Sequence, residues 1–280
     1  MKHTYSIGSQ NLTVDIQARD MFTTGCDQIL SREFGDLTKN MPWHPAGYTV
    51  IEAESFFDPD HVKSEIEKTI KRIITEINST IELDDFSLET YHQFVSDEEH
   101  AQVICKTRRL FPHDFGFDSD KIVSSLASYM GIDLSYKNPV SNSKQWIIVR
   151  INKPQSIGYN PAHKDVYGLL DNFESIPRMI NVWVPVCGVT NESGLPLVPG
   201  SHLISEEKIM RSKAGSELNG QKYSVNSILS WDSSSDLDVV SPRRNELLIF
   251  SSHLIHGLAV NHNPNTTRIS LEFRLYEDVH

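Results

Sequence analysis

The chain has 280 residues, 39% of them hydrophobic and 22% charged, which supplies a sizeable core and excludes a disordered or fibrous protein. Its 26 Lys and Arg against 37 Asp and Glu give a net charge of -11, a balance that repels phosphate backbones and anionic membrane surfaces, so neither nucleic acid nor membrane is expected as a partner. Three cysteines without a CxxC pair (Cys26, Cys105 and Cys187), no apolar leader-like run at the start and no apolar stretch near the ~18 residues of a membrane span point to one elaborated domain over 1–280, in a reducing cytoplasm.

Residues 1 to about 140 read as mainly helical. Gly47 to Phe57 (GYTVIEAESFF) has the aromatic and β-branched content of a strand leading into a helix. That helix is announced by Asp58 as cap and Pro59 at the first helical position. Val62, Ile66, Ile70, Ile73, Ile74 and Ile77 follow at three- and four-residue steps, forming one buried stripe. A second helix is expected over Asp120 to Met130, with Ile122, Leu126 and Met130 inward.

From about residue 141 the period falls to two. Gln145 to Asn152 alternates Ile147, Val149 and Ile151 against Ile148, Arg150 and Asn152. Arg178 to Val186 sets Ile180, Val182, Val184 and Val186 against Asn181 and Trp183. Glu246 to Ser252 is a third strand. Thr267 to Leu275 opposes Ile269, Leu271, Phe273 and Leu275 to Arg268, Ser270, Glu272 and Arg274. These strands, joined by irregular loops, predict an antiparallel sandwich or barrel over 141–280, its outer face covered by the N-terminal helices and its polar faces lining a lumen. The Ser-rich stretch at about 205–238 reads as a mobile lid over that lumen, with Tyr223, Ile228, Leu229 and Trp231 available to close on a substrate.

The chemistry centres on His163-Lys164-Asp165 and the distant His256. A His-x-Asp pair at a strand end presents imidazole and carboxylate on one side, and a second imidazole completes a facial triad with open positions, the arrangement that suits non-haem Fe(II). His256 is chosen over His253 and His262 for its HG turn and its twelve-residue step to Arg268. Reading 256–270 as a hairpin turning at Asn261 to Asn265 puts Arg268 and Ser270 opposite Leu258 and His256. The guanidinium is then placed to bind the far carboxylate of a chelated 2-oxo acid. Arg268 could instead pair with Glu272 or Glu246, Trp183 could be core packing, and His202 in the PGSH run reads as a supporting or capping residue.

The runs HKD (163–165), NVWVPVCGVTNESGLPLVPGSH (181–202) and HGLAVNHNPNTTRIS (256–270) resemble the signature blocks of the phytanoyl-CoA dioxygenase family of Fe(II)/2-oxoglutarate-dependent oxygenases. The resemblance implies a double-stranded β-helix of jelly-roll, cupin-like type, mainly β with added helices. It implies His163, Asp165 and His256 as iron ligands, Arg268 as the 2-oxoglutarate anchor with Trp183 and Ser270 nearby, and O2 as second cosubstrate. It further implies oxidative decarboxylation to succinate and CO2, driving hydrogen abstraction from a small-molecule substrate. Because Asp165 keeps the carboxylate that halogenating relatives lack, hydroxylation, or desaturation or dealkylation started by the same abstraction, is favoured over halogenation, and the acidic charge favours a small polar metabolite or natural-product intermediate over a CoA ester. The competing class is a cupin-like isomerase or hydrolase that uses Zn(II) or Mn(II) at the same three ligands and has no need of Arg268.

Overall fold

A computed structural model of the protein describes all residues except 1, 19–21, 26–34, 145–146, 157–159, 170–175, 192, 214, 219, 224, 233–235 and 279–280; Cys26 and the start of the strand expected at Gln145 lie outside the described residues. In chain order the main elements are β1 (Lys2–Ile7), β2 (Gln10–Ala18), β3 (Phe22–Thr24), β4 (Tyr48–Glu52), α1 (Pro59–Ile77), α2 (Asp97–Thr107), α3 (Ser119–Met130), β5 (Leu134–Ser135), β6 (Ile148–Asn152) and β7 (Met179–Cys187). They continue with β8 (Leu195–Leu197), β9 (Ile209–Ser212), β10 (Ser216–Leu218), β11 (Gln221–Tyr223), β12 (Ile228–Trp231), β13 (Asp238–Val240), β14 (Glu246–Ser251) and β15 (Arg268–Glu277).

Antiparallel pairing orders the large sheet β4-β14-β7-β15-β5, with β6 also on β15. One face carries Val149, Val182, Val184, Leu247, Ile249, Ile269, Leu271 and Leu275, which pack against Ile66, Ile70 and Ile73 of α1, Val103 of α2 and Leu126 of α3. The helices sit there because their stripes match that apolar face. Asp58 accepts from the N–H groups of Asp60 and His61, at 2.9 and 3.4 Å, starting α1 where its sequence directs. Asp118 caps α3, which ends at left-handed Gly131. The opposite face of the sheet looks into the lumen, and short β8 and β13, paired with one another, belong to its far wall. This is the double-stranded β-helix, mainly β with helices on its outside.

Three expectations are corrected. The described residues among the first 24 are not helical: β1 and β2 form a hairpin, and Val14 and Ile16 are buried at a period of two. Helix α2 is an addition to the two expected helices, because its first turn, Asp97, Glu98 and Glu99, is acidic and its buried stripe is short. Its signal is the capping box of Ser96 and Glu99. The third correction concerns 205–238, whose described residues are largely sheet rather than a free lid. Leu218 of β10 pairs with Ile16 of β2, Ser212 of β9 with Phe22 of β3, and Ile209, Ile228 and Leu229 are buried in a second core with Tyr5 and Val14. The partners that order this segment stand at the other end of the chain, beyond the reach of local composition.

Candidate active site

His163 and His256 come from distant parts of the chain and are joined by their backbones, each N–H donating to the other's carbonyl, at 2.9 and 3.0 Å. Gly257 makes the turn after His256 possible. Its φ is +131°, and a Cβ there would lie 2.2 Å from the Pro161 carbonyl oxygen. Asp165 opens a short 3-10 turn directly after His163. The three side chains are buried, and their ligand atoms lie within 4.8 Å of one another, close enough to hold one metal ion.

The proton positions favour that use. His163 Nδ1 is 2.7 Å from the Pro161 carbonyl and His256 Nδ1 is 3.0 Å from the Leu254 carbonyl. A carbonyl only accepts, so each Nδ1 carries a hydrogen, and in the neutral ring that tautomer leaves the lone pair on Nε2. Those Nε2 atoms stand 3.5 and 3.8 Å from the two carboxylate oxygens of Asp165. Burial, then the neighbouring His163, pushes His256 down to about 4, so its imidazole is neutral at physiological pH. Asp165 lies well below the usual carboxylate range: burial opposes this, but the Arg274 guanidinium, donating to Oδ1 at 2.6 Å, outweighs it. Two bare imidazole nitrogens and one anionic carboxylate on one wall of a cavity are the donor set of a facial triad.

That cavity encloses about 730 Å³, including the solvent space at its mouth. It is walled by Ile148, Leu195, Phe250 and Phe273, with Arg150, Glu272, Asn160 and Asn181 as polar groups. Arg150 and Glu272 form a bidentate pair at 2.7 Å in both bonds. None of the described residues of 205–238 lines it, although Tyr223 lies within electrostatic range of Arg150.

Arg268 is buried, and it pairs with neither Glu272 nor Glu246: Nε donates to the Ser193 carbonyl and Nη1 to Asn152 Oδ1, both at 3.0 Å. Its remaining Nη2 has no partner, and neither does the indole N–H of Trp183, over whose ring the guanidinium lies at 5.0 Å. Both polar atoms of the Asn181 side chain are also unpartnered. Burial lowers Arg268 to about 10, and the nearby Glu272 charge offsets this only in part, a cost that an anionic ligand would relieve. Ser270, also buried, donates to Glu272 Oε1 at 3.3 Å.

The expected hairpin is absent. Arg268 pairs with Asn152 and Ser270 with Arg150, both on β6, while His256 belongs to the opposite wall. The Asn261 side-chain amide donates to the carbonyls of Asn152, Lys153 and Thr266, which holds the loop against β6, and left-handed Leu258 turns the chain away from a direct return. Arg268 therefore stands on the large sheet, on the face it shares with Glu272 and Arg274, rather than on a strand beside His256. His253 is buried and lies toward Asp36, and His262 is exposed. The contact of Arg274 with Asp165 is one that sequence reasoning misses; its only signal is the alternation that puts it on the same face as Arg268.

A jelly roll with this donor set at its lumen defines the class of non-haem iron, 2-oxoglutarate-dependent oxygenases. The chain belongs to the phytanoyl-CoA dioxygenase family, whose model matches residues 43–269, and the cofactor set of that family is iron with 2-oxoglutarate and O2. No curated protein matches the chain. Solved structures of similar architecture include AviO1 from Streptomyces viridochromogenes Tue57, at 12% identity over 92% of this chain and 98% of that one, with a TM-score of 0.47. Another is the non-haem α-ketoglutarate-dependent carbocyclase SnoK from nogalamycin biosynthesis, at 14% identity over 84% and 81%, with a TM-score of 0.49. A third is EctD from S. alaskensis with 2-oxoglutarate and 5-hydroxyectoine, at 11% identity over 98% and 86%, with a TM-score of 0.47. Among the described residues no helix is long and apolar enough to cross a membrane.

Proposed function

We propose that the protein hydroxylates a small polar metabolite or natural-product intermediate, with His163, Asp165 and His256 holding Fe(II) and Arg268 anchoring 2-oxoglutarate beside Trp183 and Ser270. Bound iron, with 2-oxoglutarate and O2, supplies the oxidising chemistry and releases succinate and CO2. The protein's own groups position and shield it. Pro161 and Leu254 orient the two imidazoles, and Arg274 keeps Asp165 anionic. The observation that carries this reading is the unpartnered Nη2 of a fully buried arginine stacked over Trp183, a residue that lines the cavity of the triad. A buried guanidinium donor left without an acceptor is costly, and a carboxylate is the ligand that matches it. An isomerase or hydrolase using only the three ligands gives this arginine nothing to do.

Substrate size and polarity are argued from the cavity. Arg150, Glu272 and Asn160 offer hydrogen bonds of both senses beside Ile148, Leu195 and Phe273, which suits a compact molecule with polar groups at one end. A CoA ester would need free basic side chains for its phosphates. Instead Lys106 is paired with Glu76, Arg243 with Glu246 and Arg244 with Asp60. The test is a screen of polar metabolites for stimulated succinate formation with Fe(II) and 2-oxoglutarate, followed by mass analysis of the product. A product heavier by one oxygen atom supports hydroxylation. Turnover of a substrate at full rate without 2-oxoglutarate would establish the isomerase or hydrolase reading instead.

A further inference from the structure

Apart from the lumen, and sharing no residue with it, the fold assembles a second set of metal-binding donors. Asp36, His44 and His202 bring one ligand atom each to within 4.8 Å of one another. They come from three separate places. Asp36 caps the 3-10 turn Leu37–Asn40, His44 stands a few residues on, and His202 belongs to the PGSH turn after β8.

The hydrogen bonds around them leave the right lone pairs free. Asp36 Oδ1 accepts from the Thr38 N–H at 2.9 Å and from Thr38 Oγ1 at 2.8 Å, and Oδ2 accepts from Ser251 Oγ at 2.8 Å. Each carboxylate carries about four acceptor sites, so capacity remains for a cation. Thr38 Oγ1 also lies 2.9 Å from His44 Nδ1. Its one hydrogen is already given to Asp36, so it accepts from His44, which puts the imidazole hydrogen on Nδ1 and leaves Nε2 bare. A metal-binding histidine is typically fixed in this way by its other nitrogen.

Two further observations point to a missing partner. His202 is fully buried and neither of its ring nitrogens has a hydrogen bond; the same holds for His253, beside Asp36. The carbonyls of His44 and Gly35 approach these rings without hydrogen-bond geometry. Asp36, itself buried, makes no ion pair with Lys or Arg among the described residues. Such groups are expected to be satisfied by an ion or by ordered water. Gly47 shows how tightly the segment is wound around the cluster: its φ is +80°, and a Cβ there would lie 2.5 Å from His202 Nδ1.

We propose that Asp36, His44 and His202 form a structural divalent-metal site of the zinc type, with His253 or a water molecule in the fourth position. Imidazole nitrogen and carboxylate oxygen are ordinary zinc donors, and a site closed by protein groups on several sides is structural rather than catalytic. The metal would fasten the segment around residues 36–47 to the PGSH turn and, through Ser251, to the end of β14. It would thereby brace the wall that carries His256 three residues after His253.

The proposal is tested in the full chain with the lumen triad removed, so that it does not depend on what the lumen binds. The triple variant His163→Ala/Asp165→Ala/His256→Ala is stripped with chelator, dialysed against Zn(II) and then against metal-free buffer, and its metal content measured. One zinc per chain is expected, with a raised melting temperature, since an ion that binds only the folded state stabilises it. His44→Gln, at a half-buried position, should remove that zinc. X-ray absorption of the zinc-loaded triple variant should show imidazole nitrogen and oxygen donors without sulfur. A triple variant that retains no zinc would overturn the site, and water would then be the partner of the histidines. Retention unaffected by both His44→Gln and His202→Gln, or a sulfur donor, would equally overturn it by placing the ion elsewhere.

Discussion

In the proposed site His163 and His256 would serve as ligands because Pro161 and Leu254 hold a hydrogen on Nδ1, and Asp165 because Arg274 keeps it ionised. Arg268 differs in having a donor to spare. Replacing it by Ala should weaken 2-oxoglutarate by about a hundredfold, or ~3 kcal/mol, since a buried carboxylate loses its charged partner. Arg268→Lys should recover only part of this, because an ammonium lacks the planar fork. The check is the 2-oxoglutarate dependence of succinate formation; an Arg268→Ala enzyme with unaltered dependence would remove the anchor from the account. The triad is legible in the sequence because two of its members are two residues apart in the chain. The Asp36–His44–His202 cluster is not, because nothing local to Asp36 or His44 announces that they meet the PGSH turn.

The elements divide by the range of the information that specifies them. Helix α1 and the alternation of β7 and β15 follow from spacing alone, so the lumen-facing residues Asn181, Trp183, Glu272 and Arg274 are assigned to their faces by the period-two pattern itself, and Arg268 and Ser270 share the face of the last two. The hairpin expected at 256–270 fails because Asn261, a residue suited to turns, bonds to the end of β6 instead. The N-terminal strands and 205–238 escape a local reading for a shared reason: each is the other's pairing partner. In the metal-free protein, limited proteolysis should therefore spare the segment around 209–231 as well as the rest of the fold, and Ile16→Asp, which puts a charge in the shared core, should open it to cleavage. Preferential cleavage there in the unaltered protein would restore the mobile lid. His100 of α2 provides a pH test. Burial, then the Lys153 charge, lowers it to about 4 against an ordinary value of 6.5. The unfolded chain therefore binds a proton that the folded chain refuses between these values. The contribution is complete above pH 6.5 and is lost as pH falls toward 4. In His100→Gln, denaturant midpoints should fall less steeply over that window than in the parent; equal slopes would show that this imidazole titrates alike in both states.

For the whole molecule, the large sheet acts as a partition, with its apolar face against the helices and its polar face toward the lumen. That division puts Arg268 on the same face of β15 as Glu272 and Arg274, which line the cavity together with the triad. The central claim is that the cavity holds iron and a 2-oxo acid together. Its most direct test is anaerobic addition of Fe(II) and 2-oxoglutarate to the protein, followed by visible absorption. A weak charge-transfer band of a chelated 2-oxo acid is expected, lost in His163→Ala, Asp165→Ala and His256→Ala and retained in His253→Ala. No band in the unaltered protein, or a band that disappears with His253→Ala and survives His256→Ala, would contradict the account.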